Sequence, residues 1–109
     1  MEIKKTTFED LPKILKLQKT AYLSEAKLLN DYSIPPLTQT LEELEKEFSQ
    51  NIILKQEDEK NGELISSVRY REENNRVYIG KLMVHPDYQN RGIATNLLAT
   101  VETFLKIRH

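Results

Sequence analysis

The chain has 109 residues, 39% of them apolar and 30% charged, and its 16 basic side chains stand against 17 acidic ones for a net charge of −1. That balance fits one soluble globular domain over residues 1–109 and gives no overall field toward nucleic acid or an anionic membrane. Cysteine is absent, which excludes disulfides, thiolate metal sites and thiol nucleophiles; His85 and His109 lack metal-ligand spacing, so no metal is expected. No apolar run approaches the ~20 residues of a membrane span, and the start lacks a signal-peptide core, so a cytoplasmic protein is the default.

Residues 3–6 suit a short first strand. Asp10 stands where a helix N-cap would, and Pro12 falls in the first turn, where a missing N–H does no harm. Leu11, Ile14, Leu15, Tyr22, Ala26 and Leu29 recur near helical spacing, which predicts a first helix to about Leu29. Asn30, Asp31, Pro35 and Pro36 then break it. Thr40-Leu41-Glu42-Glu43 is a capping-box pattern, and Leu41, Leu44 and Phe48 continue as the apolar stripe of a shorter second helix. The acidic run Glu42, Glu43, Glu45 and Glu47 reads most simply as a solvated face.

Three strand-like runs follow. Ile52-Ile53-Leu54 is the first. Asn61-Gly62 is a hairpin turn signal, because both residues tolerate positive φ. Residues 64–71 form the second run, residues 72–75 a polar turn and residues 76–84 the third run, giving an antiparallel meander. Gly80 inside the last run marks a bulge or a close backbone approach. A final helix begins near Gly92, with Ile93, Leu97, Val101, Phe104 and Leu105 as its buried stripe.

The segment Lys81-Leu82-Met83-Val84-His85-Pro86-Asp87-Tyr88-Gln89-Asn90-Arg91-Gly92-Ile93-Ala94-Thr95 joins that strand to that helix. A turn built on small residues aims several backbone N–H groups at one point. A helix N-terminus adds unpaired donors and partial positive charge, so the segment suits a phosphate. Gly92 lets the backbone approach an anion, and Ala94 keeps the start of the helix uncrowded.

Gln89-Asn90-Arg91-Gly92-Ile93-Ala94 resembles the signature of the Gcn5-related N-acetyltransferase superfamily: Gln or Arg, two variable residues, Gly, one variable residue, then Gly or Ala. The preceding residues 82–88 and the opening Asp10-Leu11-Pro12 with Ile14 also resemble the family's wording. The resemblance implies an α/β fold, a mixed, mainly antiparallel twisted sheet with helices on both faces, lacking the family's usual C-terminal strands and helix. It implies acetyl-coenzyme A as co-substrate. Gln89, Asn90, Arg91, Gly92, Ile93, Ala94 and Thr95 would bind its pyrophosphate, with Arg91 as a pairing cation. Leu82, Met83 and Val84 would border the pantetheine arm, and one N–H there would polarise the thioester carbonyl. The reaction implied is direct acetyl transfer to a primary amine of a small molecule or protein, which needs no protein nucleophile.

The chain departs from the family in two ways. The fifth strand, fourth helix and final hairpin are missing, which would leave residues 76–84 as an open edge. Self-association through that edge or the last helix is therefore expected. Some members carry a Glu where this chain has Tyr78, a poor base at neutral pH, so no catalytic residue is assigned and turnover in this short form is in question. Two rival functions remain, a non-catalytic acyl-coenzyme A binding module and a dimerisation module.

Other residues carry paired readings. His85 serves as a base or caps the loop, with capping the simpler account. Tyr32, Pro35 and Pro36 form either an acceptor-side lid or a rigid loop. Tyr70 and Tyr78 read as sheet-face packing. Arg69, Arg71 and Arg76 would attract an anionic acceptor or form a solvated strand face, the simpler reading.

Overall fold

A computed structural model describes residues 2–108, with side chains as far as Leu105; Met1 and His109 lie outside the described residues. Strand β1 (Ile3–Lys5) leads through a 3-10 turn (Phe8–Asp10) into helix α1 (Leu11–Leu29). A short helix α2 (Pro35–Thr38) and helix α3 (Leu41–Gln50) follow. Then come β2 (Ile52–Glu57), β3 (Leu64–Glu73) and β4 (Arg76–Val84), a second 3-10 turn (Pro86–Tyr88), and helix α4 (Ile93–Arg108).

Local chemistry sets the boundaries. Asn30 ends α1 in a left-handed conformation (φ 52°), and its N–H donates to the carbonyls of Ala26 and Lys27; Asn is among the few residues that adopt this cap cheaply. Thr40 and Glu43 form the expected reciprocal cap of α3, Glu43 N–H donating to Thr40 Oγ1 at 3.1 Å and Thr40 N–H to Glu43 Oε1 at 2.9 Å. Asn74 and Asn75 both take positive φ (52° and 63°). Two such residues give the tight turn whose twist suits a hairpin, here between β3 and β4.

Asp10 takes the N-cap position of α1, but its side chain makes no capping bond to that helix. Its backbone is already helical, and its carboxylate instead accepts from Thr7, from the backbone N–H at 2.8 Å and from the hydroxyl at 3.0 Å. The 3-10 turn takes the capping interaction because Thr7 and Asp10 are themselves spaced as a capping pair. The same carboxylate meets Lys55 Nζ at 2.9 Å, and Lys55 meets Glu57 at 2.7 Å. Burial works to raise the Asp10 carboxyl, but the Thr7 N–H, Lys55 and the Thr7 hydroxyl outweigh it and hold the group below 3.8. Burial likewise works to lower Lys55, and Glu57 and Asp10 outweigh it and hold the ammonium above 10.5. A depressed carboxyl contributes stability above its unfolded pKa and loses it as pH falls through the folded value. A raised ammonium contributes below its unfolded pKa and loses it as pH rises through the folded one. Asp10→Asn is therefore expected to cost about 1 kcal/mol at pH 7. The gap from wild type should close as pH falls below 3.8, as read by urea melts at pH 7 and pH 3.

The four strands pair antiparallel throughout, in the order β1-β2-β3-β4. Helices cover both faces. Leu11, Ile14 and Leu17 of α1 and Leu44 of α3 pack with Ile53, Leu64 and Met83. Leu97 and Val101 of α4 pack with Leu54, Val68 and Tyr70 on the opposite face, flanked by Phe104 and Leu105. Leu29, expected in the stripe of α1, is 60% exposed; it falls in the last turn, past the cluster. The central strand β3 is buried on both faces from Leu64 to Tyr70. β4 has no strand on its outer side among the described residues, and Val77, Tyr78 and Ile79 on it are exposed.

Gly80 announces a bulge one residue later than itself. Arg69 pairs with Gly80 and Ser67 with Met83, so Lys81 and Leu82 together oppose Val68. Lys81 adopts φ 48° to absorb the extra residue. Such a bulge bends the strand and breaks its pairing locally.

Candidate functional site

The junction from β4 to α4 is held at both ends. His85 N–H donates to Ile65 O at 2.7 Å, tying the strand end to β3. The His85 ring then caps the next turn, Nδ1 accepting from Asp87 N–H at 3.1 Å. That bond matches the capping reading of the ring. Asn90 (φ 64°) and Gly92 (φ 74°) reverse the chain into α4. The first helical bond runs from Asn96 N–H to Gly92 O at 3.1 Å. The amides of Ile93, Ala94 and Thr95 precede it and have no partner within the helix. The first turn of α4 carries no acidic residue, so nothing there opposes the positive end of the helix dipole.

An open groove of about 450 Å³ runs along this junction, lined by Leu82, Val84, Tyr88, Gln89, Asn90, Gly92, Ile93, Ala94 and Thr95. It gathers the sequence-derived candidates except two. Met83 buries its side chain in the core against α1 and α3, because alternation on β4 turns it away from Leu82 and Val84. Arg91 lines a neighbouring groove with Gln56, Asn96 and Ala99, while Gly92, Ile93 and Thr95 border both.

Tyr88 links the loop to the rest of the fold. Its hydroxyl donates to Asp58 Oδ2, beyond the end of β2, at 2.6 Å. The Arg91 guanidinium lies 5.2 Å from its ring centroid, within cation–π range. The Tyr88 bond is the main reason the Asp58 carboxyl sits below its ordinary value, with the Lys60 N–H adding to it. The same bond raises the Tyr88 phenol. Tyr88→Phe is expected to weaken any anion binding in the groove by about threefold, less than one 1.4 kcal/mol step, and to raise the Asp58 carboxyl part of the way to its ordinary value, with the Lys60 N–H still lowering it. Calorimetry and an NMR titration of the carboxyl read the two effects.

A polar network missed by the sequence reading lies on the other side of β4. Arg69 is 3% exposed, not a solvated strand residue. It donates to Glu47 Oε2 at 2.6 Å and to Gln18 Oε1. Gln18 donates to Gln39 Oε1 at 2.9 Å and to the Pro36 carbonyl at 2.8 Å. Gln39 donates to Glu47 Oε1 at 2.8 Å, and Lys81 reaches the same oxygen at 3.3 Å. Glu47 is thus bound by two cations and does not belong to the solvated face of α3 with the rest of its acidic run. Burial holds the Arg69 guanidinium below its ordinary value, with Glu47 opposing. Pro36, read as lid or rigid loop, is fastened by Gln18, which supports the rigid reading. Tyr32 is exposed. Tyr70 is buried, whereas Tyr78 stays exposed beneath the Arg71 guanidinium, 4.5 Å from its centroid. One sequence signal pointed to the network: Gln18 sits on the buried side of α1 beside Ile14 and Leu17.

No cluster of His, Cys, Asp or Glu among the described residues is placed to hold a metal ion. No helix among them is long and apolar enough to cross a membrane.

The fold is similar to solved structures over nearly its whole length. The PaiA N-acetyltransferase of Thermoplasma acidophilum in complex with coenzyme A superposes with a TM-score of 0.79 at 18% identity, over 98% of this chain and 72% of that one. Smu.2055 of Streptococcus mutans gives 0.76 at 14% identity, over 97% and 66%. A GNAT family acetyltransferase of Brucella melitensis in complex with acetyl-CoA gives 0.73 at 18% identity, over 96% and 68%. This chain therefore spans 66–72% of the length of those proteins. A comparison with curated protein sequences finds no match. The sequence model of the Acetyltransferase (GNAT) family matches residues 11–108, from the start of α1 to the end of α4. With the matched region taking in α1, the meander and the loop that heads α4, the chain belongs to the GNAT acetyltransferase family.

Proposed function

We propose that this chain binds acetyl-coenzyme A in the groove between β4 and α4 and serves acetyl transfer to a primary amine. One observation carries the reading. The left-handed pair Asn90 and Gly92 presents the free amides of Ile93, Ala94 and Thr95 at one end of a groove that continues along the open edge of β4. The amides suit a diphosphate, and the edge suits an extended amide-bearing arm, which pairs with a strand as a peptide does. The coenzyme A and acetyl-CoA complexes among the similar structures support the same ligand.

In this reading Gln89, Asn90, Gly92, Ile93, Ala94 and Thr95 hold the pyrophosphate, and Leu82 and Val84 flank the pantetheine. Arg91 serves from the adjacent groove and Met83 through its backbone alone. The chemistry is an exchange at the thioester carbon. The amine nitrogen forms the new C–N bond, the C–S bond breaks, and the departing sulfur takes the proton the amine sheds. The protein holds both reactants in line.

Calorimetric titration with acetyl-coenzyme A, paired with a thiol-release assay over a panel of amines, tests the proposal. Binding with thiol release is the expected result. Binding without release would make the chain an acyl-coenzyme A binding module. Absence of both would end the reading. The open edge of β4, with Val77, Tyr78 and Ile79 exposed on it, also supports self-association of two copies through this strand or α4; light scattering across micromolar concentrations reads it.

A further inference from the structure

A further open groove, of about 350 Å³, lies on β4 beyond the bulge, lined by Arg69, Arg71, Lys81, Glu47, Asn51 and Tyr78 together with Gly80. Three of these side chains are cations and one is a carboxylate. Glu47 is divided between two of them, meeting Arg69 at 2.6 Å and Lys81 at 3.3 Å. Arg71 adds a third positive charge. Glu73 stands 3.4 Å from it, but both side chains are largely exposed and water screens the pair. The Tyr78 ring supports the Arg71 guanidinium at the rim. The Nε–H of Arg69 is buried and makes no hydrogen bond. Three cations thus stand against two carboxylates, Glu47 and the screened Glu73, which leaves one positive charge in excess.

Position gives this excess a meaning. Gly80 lies two residues from Leu82, across the bulge at Lys81, so the groove opens next to the end of the path assigned to the thiol arm. An attacking amine must come within ~3.5 Å of the thioester carbon. Building on the function proposed above, we propose that this groove receives the acceptor, and that the acceptor is an amine bearing a carboxylate, of amino-acid or dipeptide size. Arg71 and Lys81 hold the carboxylate, which is unchanged in the reaction. The amine nitrogen bonds to the acetyl carbon as the C–S bond breaks, and its proton leaves on the thiol. A polyamine is disfavoured, because its remaining ammonium groups would meet three cations against two carboxylates that those cations already engage.

Amide NMR of the whole chain tests this with three probes of similar size: anionic N-acetylglycine, neutral N-acetylglycinamide and cationic N-acetylputrescine, each with and without coenzyme A. The expected result is that N-acetylglycine shifts the amides of Arg71, Gly80 and Lys81 and binds about tenfold more tightly than the neutral amide, the effect of one charge-assisted contact. Arg71→Gln should remove most of that preference. Equal binding of acid and amide, preference for the cation, or a groove silent to all three probes would overturn the proposal. Coenzyme A titrated alone is read separately at Ile93, Ala94 and Thr95. Silence there with a responsive groove would sink the coenzyme reading and leave the anion groove standing.

Discussion

Replacing Gly92 with aspartate is expected to weaken acetyl-coenzyme A binding by roughly a hundredfold, the factor for ~2.8 kcal/mol. The new carboxylate would stand beside the pyrophosphate, and one such repulsion at ~4 Å lies between ~1 kcal/mol in water and ~4 kcal/mol near a protein surface. The fold should tolerate the change. A Cβ on Gly92 meets nothing within 4 Å, and the strain that a side chain carries at its φ of 74° is smaller for Asp than for most residues. Gly92→Asn separates charge from shape. It keeps the volume and the turn preference, so its loss should stay under about tenfold. Calorimetry on both variants, with melting curves to confirm folding, reads the pair. Equal losses would mean that backbone shape, not charge, governs the site. No loss in either would remove the diphosphate from this loop.

Arg69→Ala is expected to destabilise the fold by about 3 kcal/mol, a midpoint between a lost buried hydrogen bond and a broken buried ion pair. The change strips the donor from Gln18 Oε1 and leaves Glu47 with Lys81 and Gln39. Glu47 is 32% exposed, so water recovers part of its loss and the cost stays below that of a stranded buried charge. For a domain of this size the melting temperature should fall by more than ~10 °C. Arg69→Met refills the stem volume and should regain part of the loss. A change under ~1 kcal/mol in urea melts would mean the network contributes little to stability.

The regular elements were readable because their periodicity is strong. The stripes of α1 and α4, the Thr40 cap and the Asn-rich turns rest on interactions within a few residues of each other. The loop ahead of α4 was readable for the same reason, since its donors come from consecutive amides. What the sequence hid depends on distant partners. Arg69 reads as polar, and only the burial of β3 on both faces turns it inward toward Gln18, 51 positions away. Glu47 looks like its neighbours on α3 until Arg69 and Lys81 arrive from the sheet. Asp10 holds the expected N-cap position of α1, but its carboxylate is drawn back to Thr7, and two capping residues three apart do not show in sequence which bond wins. Arg91 and Met83 lie within the recognised segment, but a one-residue change of face sets them apart from its groove.

The order of the strands also bears on how the chain reaches this state. β2, β3 and β4 are joined by short turns, so their pairing closes only small loops and can begin early. β1 must instead find Gln56 from Ile3, across α1, α2 and α3. This pairing spans three residues and carries the largest closure entropy in the sheet. Ile3–Lys5 should therefore be the last strand to dock and the first to open, and amide hydrogen exchange there should be fastest among the paired strands.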